Sequence, residues 1–132
     1  MKVNTKSRYA LRCMCDLALS KDFVSVNDIS LNQTLTNKYI ESIFASLKKQ
    51  HLVLSKKGAN GGYQLARSAS KIKVYDIFSA LELSESIAPK TTADDDLTQF
   101  IKENVWDILD ESINKSLNKI TLKSLISKEQ IK

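Results

Sequence analysis

The segment from Thr36 to Leu65, TNKYIESIFASLKKQHLVLSKKGANGGYQL, constrains the fold more than any other part of the chain. Its first half has the i, i+3, i+4, i+7 spacing of a helix that buries one face, at Ile40, Ile43, Phe44 and Leu47. A β-prone stretch follows, then a basic tip that holds all three glycines of the chain, and then a second β-prone stretch. A winged helix-turn-helix holds DNA with this arrangement: the helix enters the major groove and the hairpin reaches the flanking backbone or the minor groove.

Two short helices joined by a tight turn are predicted at the start of this segment. We predict a helix over 26–32 with Ser25 as its cap, a turn at 32–34, and a third helix with Thr36 as its cap. The outward face of the third helix is polar. This combination is typical of a helix-turn-helix.

Apolar spacing, caps and breakers predict the remaining elements. A first helix is expected over 5–20 with Thr5 as its cap, and a first hairpin strand over 52–55. A fourth helix follows the hairpin, and a long fifth helix over about 94–117 precedes a short last helix. The expected fold is mainly α with a small β-hairpin wing: a winged helix-turn-helix domain at 1–83, a linker at 84–93, and a dimerisation helix with a closing C-terminal helix at 94–132.

The charge is divided unevenly along the chain. Residues 1–75 carry 13 Lys and Arg against 4 Asp and Glu, a net charge of +9, whereas residues 76–132 carry a net charge of −4. A basic amino-terminal part points to a polyanionic partner, and the acidic remainder argues against that partner being held there. Chance clustering on a solvated surface is the alternative. Because the positive charge coincides with the helix and hairpin pattern, double-stranded DNA is the favoured partner.

The predicted fifth helix carries two apolar stripes. One stripe consists of Leu97, Ile101, Val105 and Ile108, and the other consists of Trp106, Leu109, Ile113 and Leu117. One stripe can dock on the chain's own domain, but the other needs a partner, because a helix that is apolar on two sides is not stable in water. We expect the stripe from Leu97 to Ile108 to form a homodimer contact.

The cysteine and histidine content excludes several kinds of site. Cys13 and Cys15 are the two cysteines, and on a helix their side chains point about 200° apart, so they cannot chelate one ion together. With His51 as the single histidine, one chain holds no zinc or iron–sulfur ligand set, and we predict no metal and no cofactor. Cys13 is expected to be a small buried hydrophobe, whereas Cys15 leaves a thiol-based redox role open.

The sequence shows no catalytic constellation. No Ser, Cys or carboxylate is arranged around His51 as a nucleophile would be around its base, and the glycine-bearing tip lacks the spacing of phosphate-binding loops. No run approaches the roughly 20 apolar residues of a membrane span, and the amino terminus lacks the apolar stretch of a signal peptide. We therefore expect a cytoplasmic protein that is not an enzyme and does not bind a membrane.

These motifs resemble those of the Rrf2 family of winged helix-turn-helix transcription regulators. The similar segments are TKSRYAL near the amino terminus, KYIESIF in the third helix, HLVLSKKGANGGYQLAR through the hairpin, and VWDILDESINKSLNKITLKSLI near the end. The resemblance covers nearly the whole chain and implies a homodimeric repressor or activator whose long C-terminal helices cross between subunits. A two-fold dimer places two recognition helices on successive major grooves, so the operator is expected to be an imperfect palindrome.

The resemblance does not extend to an iron–sulfur site. Family members often carry a three-cysteine loop ahead of or within the long helix, but residues 88–104, APKTTADDDLTQFIKEN, contain no cysteine. The chain looks more like the members without a cluster, of the cysteine-metabolism-repressor type. Some of these members bind a partner protein or respond to thiol oxidation, so an effector protein or a small molecule stays open as a further partner.

The candidate DNA contacts lie on the third helix, the wing tip and the first helix. The amino-terminal part of a recognition helix enters deepest into the groove. The predicted contacts are therefore Thr36, Lys38, Tyr39, Glu41 and Ser42 on the third helix, Lys56, Lys57, Gly58 and Asn60 on the wing, and Lys6 and Arg8 on the first helix.

Glu41 stands out among these residues because phosphates repel a carboxylate. It is tolerable near DNA if it accepts a hydrogen bond from a cytosine amine, and the resemblance places a base-reading Glu at this position too. A solvated side chain or a pair with Lys38 is the alternative. Lys57 stands where relatives commonly have Arg, so its readout of the minor groove is expected to be weaker.

A rival function is a winged-helix adaptor that binds another protein without specific DNA binding.

Overall fold

The computed structural model describes residues 3–81 and 86–129. Within these residues the helices are α1 (Thr5–Ala18), α2 (Val26–Gln33), α3 (Asn37–Lys49), α4 (Val74–Leu81), α5 (Asp96–Ile101), α6 (Asp107–Lys119) and α7 (Leu122–Glu129). The strands are β1 (Val53–Lys56) and β2 (Gly62–Leu65), with a 3-10 turn at Ala69–Lys71 and a π-helical turn at Lys102–Trp106. The predicted class, mainly α with a β-hairpin wing, is confirmed.

The first helix starts with a different cap from the predicted one. The side-chain oxygen of Asn4 accepts a hydrogen bond from the Ser7 N–H at 2.8 Å, and the Ser7 hydroxyl accepts one from the Asn4 N–H at 3.1 Å. This reciprocal pair is a capping box. The assignment of Thr5 as the cap was therefore wrong, because the Asn side chain one residue earlier satisfies the helix's first donors.

The helix-turn-helix is confirmed, with α2 ending at Gln33, one residue later than predicted. The Ser25 hydroxyl accepts from the Asp28 N–H at 3.1 Å, and the Thr36 hydroxyl accepts from the Tyr39 N–H at 3.2 Å, so both predicted caps begin their helices. Between them, Thr34 adopts a left-handed conformation with φ of 56°, which ends α2 and turns the chain into α3.

The core lies where the buried faces of α1, α3 and α4 meet. The predicted apolar face of α3 is fully buried, and the fully buried residues of α1 lie opposite it. These residues are Ile40, Ile43, Phe44 and Leu47 on α3, and Ala10, Cys13 and Met14 on α1. Each large apolar side chain buried in this way contributes roughly 1.5–3 kcal/mol, so this cluster is the main reason that α3 keeps a single orientation.

The wing is an antiparallel hairpin that pairs with the chain ahead of α2. The β1–β2 register runs from Val53 opposite Leu65 to Lys56 opposite Gly62. The Val24 N–H donates to the Tyr63 carbonyl at 2.8 Å, and the Tyr63 N–H donates to the Val24 carbonyl at 2.9 Å. The wing is thus attached to the helix-turn-helix by backbone hydrogen bonds.

The first hairpin strand starts one residue later than predicted. His51 has a φ of 60°, and the regular pairing of the two strands begins with Val53 opposite Leu65, although the Leu52 carbonyl still accepts a hydrogen bond from the Ala66 N–H at 3.0 Å. The turn at His51 therefore shifts the strand from the predicted 52–55 to Val53–Lys56.

The predicted fifth helix is not one continuous α-helix. The Asp95 carboxylate accepts from the Thr98 N–H at 2.7 Å and starts α5 at Asp96, two residues later than expected. The π-helical turn then separates α5 from α6, which ends at Lys119. The apolar spacing of the sequence fits a single helical period and carries no signal for a change of period inside the helix.

The last helix returns to the winged part of the chain. The Val74 N–H donates to the Ile120 carbonyl and the Leu122 N–H donates to the Ile72 carbonyl, both at 2.9 Å. Leu122 is fully buried in the core. The division at 1–83, 84–93 and 94–132 stays a prediction, and its first boundary falls at residues 82–85, outside the described residues.

Gly62→Ala should destabilise the protein by about 3 kcal/mol or more, because two penalties combine. Gly62 has a φ of +140°, and a Cβ there would lie 2.0 Å from the Val24 carbonyl oxygen. The matched control is Gly58→Ala, where φ is +101° but nothing lies within 4 Å of the added Cβ, so its loss should be only about 1–2 kcal/mol. Urea unfolding measures both losses, and equal losses would contradict the close approach at Val24.

Candidate nucleic-acid interface

The first two turns of α3 present a polar surface. Lys38 and Glu41 are exposed, and Tyr39 and Ser42 are half-buried. The Ser42 hydroxyl donates to the Tyr39 carbonyl at 2.8 Å, so its only hydrogen is used within the helix. The Ser42 hydroxyl can therefore only accept a hydrogen bond from a ligand at this surface.

The start of α3 is tied to α1 through two tyrosines. The edge of one ring meets the face of the other in the Tyr9–Tyr39 pair, with centroids 6.0 Å apart and ring planes at 88°. This contact brings α1, with half-buried Lys6 and exposed Arg8 in its first turns, against the start of α3.

The far side of α3 is tied to the wing. The rings of Phe44 and Tyr63 stack with centroids 4.3 Å apart and an interplanar angle of 11°. The Lys48 ammonium donates to the Ser55 hydroxyl on β1 at 2.7 Å. Lys48 is thus a second link between α3 and the hairpin.

The negative charge of Glu41 on α3 acts on Tyr63 of the wing. Burial and, after it, the negative charge of Glu41 raise the pKa of the Tyr63 hydroxyl above its ordinary value. Glu41 precedes Phe44 by three residues on α3, so the two side chains are neighbours on the helix, and the Phe44 ring stacks on Tyr63 of the hairpin.

The wing tip is exposed and basic. Lys57, Gly58 and Asn60 are exposed, and the Gly61 N–H donates to the Gly58 carbonyl at 3.0 Å to close the turn. The Lys56 ammonium lies 5.7 Å from the centroid of the Phe23 ring, a cation–π contact that directs this side chain toward the chain ahead of α2.

The structure brings the predicted residues together in two groups. One group surrounds the start of α3 with the first turns of α1, and the other is the wing tip. Sequence reasoning missed Phe23 and Tyr63, which support the wing, because their partners are far away along the chain. His51 lies in the turn before β1 and is exposed, whereas its place at the start of the hairpin suggested a partly buried turn residue.

The two cysteines lie in different surroundings. Cys13 is fully buried, and this burial, with a further contribution from Asp16, raises the pKa of its thiol to about 12. Cys15 is half-buried. Among residues 3–81 and 86–129, no three His, Cys, Asp or Glu side chains are grouped so that they could hold a metal ion. In the same residues, no helix is long and apolar enough to cross a membrane.

Comparison with known proteins shows which family the sequence matches. The sequence model of the Rrf2 family, described as an iron-dependent transcriptional regulator, matches residues 3–128. The chain is 35% identical to the regulator IscR of Vibrio vulnificus, over 99% of this chain and 80% of that protein. It is 34% identical to the protein rrf2 of Nitratidesulfovibrio vulgaris, over 96% of this chain and 87% of that protein.

Two solved structures have the same fold. The structure of T. potens IscR matches with a TM-score of 0.77 and 36% identity, over 98% of this chain and 88% of that chain. The structure of CymR, the global cysteine regulator of B. subtilis, matches with a TM-score of 0.81 and 28% identity, over 97% of this chain and 98% of that chain.

The residues of this chain do not fit an iron–sulfur cluster. A cluster of this kind is held by several thiolates, and the sequence has two cysteines, one of which is fully buried with a strongly raised pKa. The two are also separated by about 200° around α1.

In the Cys15→Ala variant, where Cys13 is the only thiol, Ellman's reagent at pH 8 should label the native protein at least about 100-fold more slowly than the unfolded chain. The reason is that a buried thiol of raised pKa forms little thiolate and is shielded from the reagent. The Cys13→Ala variant is the control and should be labelled faster through half-buried Cys15. Labelling of Cys13 as rapid as in denaturant would show that α1 does not bury it.

Proposed function

Because the chain belongs to the Rrf2 family of transcriptional regulators, we propose that it is a homodimeric, sequence-specific DNA-binding repressor that works without an iron–sulfur cluster. The family and its relatives are transcriptional regulators rather than enzymes. The observation that carries the proposal is the stacking of Phe44 on Tyr63, which holds the polar start of α3 and the basic wing tip in one fixed arrangement.

In this proposal the start of α3 reads bases. Lys38 and Glu41 are exposed on its first two turns, where a recognition helix meets the floor of the major groove. Glu41 accepts a hydrogen bond from a cytosine amine, and the acceptor oxygen of Ser42 receives a second donor. Tyr39, whose ring is held against Tyr9, offers its hydroxyl to a phosphate.

The remaining candidates hold the DNA backbone. Lys56, Lys57, Gly58 and Asn60 contact the backbone from the wing tip, and Lys6, Arg8 and Thr36 contact it from the starts of α1 and α3. The net charge of +9 in residues 1–75 supports this role, because phosphate neutralisation supplies most of the sequence-independent affinity.

Dimerisation is proposed through the exposed apolar face of α5 and α6. Leu97 is 68% exposed, Val105 39% and Ile108 54%, whereas Ile101, the fourth residue of the predicted stripe, is half-buried and lines a cleft beside residues 86–91. Phe100, which is not part of either predicted stripe, is 63% exposed on the same helical segment. Ile113 and Leu117, at the end of the second predicted stripe, pack against the core. The first stripe is therefore the one that is available to a partner.

Replacing Lys56 and Lys57 together with Ala should weaken binding to all DNA sequences. It should also reduce the slope of log K against log salt by about 1.8 per protomer, because each lost phosphate contact removes about 0.9. Fluorescence anisotropy with operator and random duplexes, measured over a range of salt concentrations, tests this. An unchanged slope would show that the wing does not contact the phosphates. If the protein binds no DNA in a salt-dependent way, an adaptor function would be favoured.

Glu41→Ala is the contrasting variant. It should lower the preference for the operator over random DNA by about 1–3 kcal/mol and leave the salt slope unchanged, because it removes a base contact and no phosphate contact. Equal losses on both duplexes would assign Glu41 a supporting role beside Tyr63.

Ile108→Asp should raise the dimer dissociation constant by about 100-fold or more, because it places a charge in an apolar contact twice per dimer. The monomer should stay folded, since Ile108 is 54% exposed within one chain. Light scattering measures the assembly and circular dichroism the fold. Ser116→Asp is the control, as it adds the same charge at an exposed polar position of α6. A variant that is still dimeric would mean that another face forms the dimer.

A further inference from the structure

A cleft outside the proposed DNA interface lies between residues 86–91 and the helical segment around the π-helical turn. Its volume is about 690 Å³. The walls are apolar at Ala88, Pro89, Ile101 and Trp106, and two ammonium-bearing side chains, Lys90 and Lys102, also line it. This volume lies within the range of small-molecule sites, which are mostly apolar clefts with a few polar groups.

The π-helical turn builds one wall of the cleft. In an α-helix, residues five apart point about 140° away from each other, so Ile101 and Trp106 would face different directions. A π-helical turn has i to i+5 hydrogen bonds, and here the Asp107 N–H donates to the Lys102 carbonyl in this pattern. The wider turn brings Ile101, Lys102 and Trp106 onto the same wall, while Val105 stays on the exposed apolar face.

The opposite wall is attached to α6 by a carboxylate. Asp110 accepts hydrogen bonds from the Ser86 hydroxyl and from the Ile87 N–H, the latter at 2.9 Å. Partial burial opposes ionisation of Asp110, but favourable interactions that include these two hydrogen bonds lower the pKa of the carboxyl below its ordinary value. Asp110 is therefore ionised at neutral pH and holds the start of the 86–91 segment against the helix.

We propose that this cleft binds a small amphipathic organic anion, a carboxylate on an aromatic or aliphatic body. The body packs against Pro89, Ile101 and Trp106, and the carboxylate pairs with Lys90 and Lys102. Lys102 is already ion-paired with Asp107 at 3.1 Å, but their side chains are 55% and 47% exposed. A pair this exposed is weak, so a carboxylate in the cleft can replace Asp107 as the partner of Lys102.

Trp106 is the only tryptophan of the chain, so its fluorescence reports on the cleft directly. The full-length protein is titrated with octanoate and with 4-phenylbutyrate, and 1-octanol and octylamine serve as controls of the same size without the negative charge. The carboxylates should change the emission saturably, with a Kd of roughly 10 µM to 1 mM. The two controls should bind at least about tenfold more weakly.

Variants assign the binding to the cleft. Lys90→Gln combined with Lys102→Gln should raise the carboxylate Kd by about tenfold. The matched control, Lys115→Gln, removes an exposed lysine of α6 that does not line the cleft and should leave the Kd unchanged. Asp107→Asn should tighten binding by about two- to fivefold, because Lys102 loses its competing partner. Ala88→Phe, which fills the cleft, should abolish the emission change, with circular dichroism confirming the fold.

Three results would overturn the proposal. They are no saturable change of emission below about 5 mM carboxylate, equal affinity for 1-octanol and octanoate, and equal Kd values in wild type and the double lysine variant. The first result is expected if a second copy of the chain fills the cleft in the dimer. None of these measurements involves DNA, so their outcome is separate from that of the proposed regulatory function.

Discussion

Phe44 on α3 and Tyr63 on β2 lie ring against ring, 4.3 Å apart, where the helix-turn-helix meets the wing. Phe44 is fully buried and belongs to the core, whereas Tyr63 also exchanges two backbone hydrogen bonds with Val24. The stack therefore joins three separate parts of the chain: the core face of α3, the hairpin, and the segment ahead of α2. Together with the backbone hydrogen bonds to Val24 and the Lys48–Ser55 hydrogen bond, it fixes the position of the polar start of α3 relative to the basic tip, as binding to a duplex of fixed geometry requires.

The two halves of the chain differ in what they leave exposed. The amino-terminal part holds most of the buried apolar residues and has a net charge of +9 over residues 1–75, as a surface for a polyanion requires. The segment from α5 to α6 is acidic and exposes Leu97, Phe100 and Ile108 instead. Its attachment to the winged part through the inward-packed Ile113 and Leu117 gives the two surfaces one rigid support. A change at the cleft beside Trp106 would thus act on the same segment that we propose for dimerisation.

Most of the winged part could be predicted because its determinants are local. A cap needs a side-chain oxygen within a few residues of a free N–H, as at Ser25 and Thr36, and a buried face needs only the right spacing on its own helix. The error at Thr5 has the same origin: two capping residues are adjacent, and only the backbone geometry decides that Asn4 makes the hydrogen bond. The change of helical period at Lys102–Trp106 has no comparable local pattern, so the face on which Trp106 lies could not be predicted.

By itself, the sequence determined the order of the elements, the buried face of α3, the basic character of the wing tip and the absence of a cysteine set for a cluster, because each depends on residue type and spacing alone. Only the tertiary structure decided which side of α3 faces the wing, that Lys56 lies over Phe23, and that residues 86–91 and the π-helical turn enclose a cleft. These features depend on contacts between residues far apart in the chain. Such contacts form only when the core has set the positions of the helices, and no local pattern encodes them.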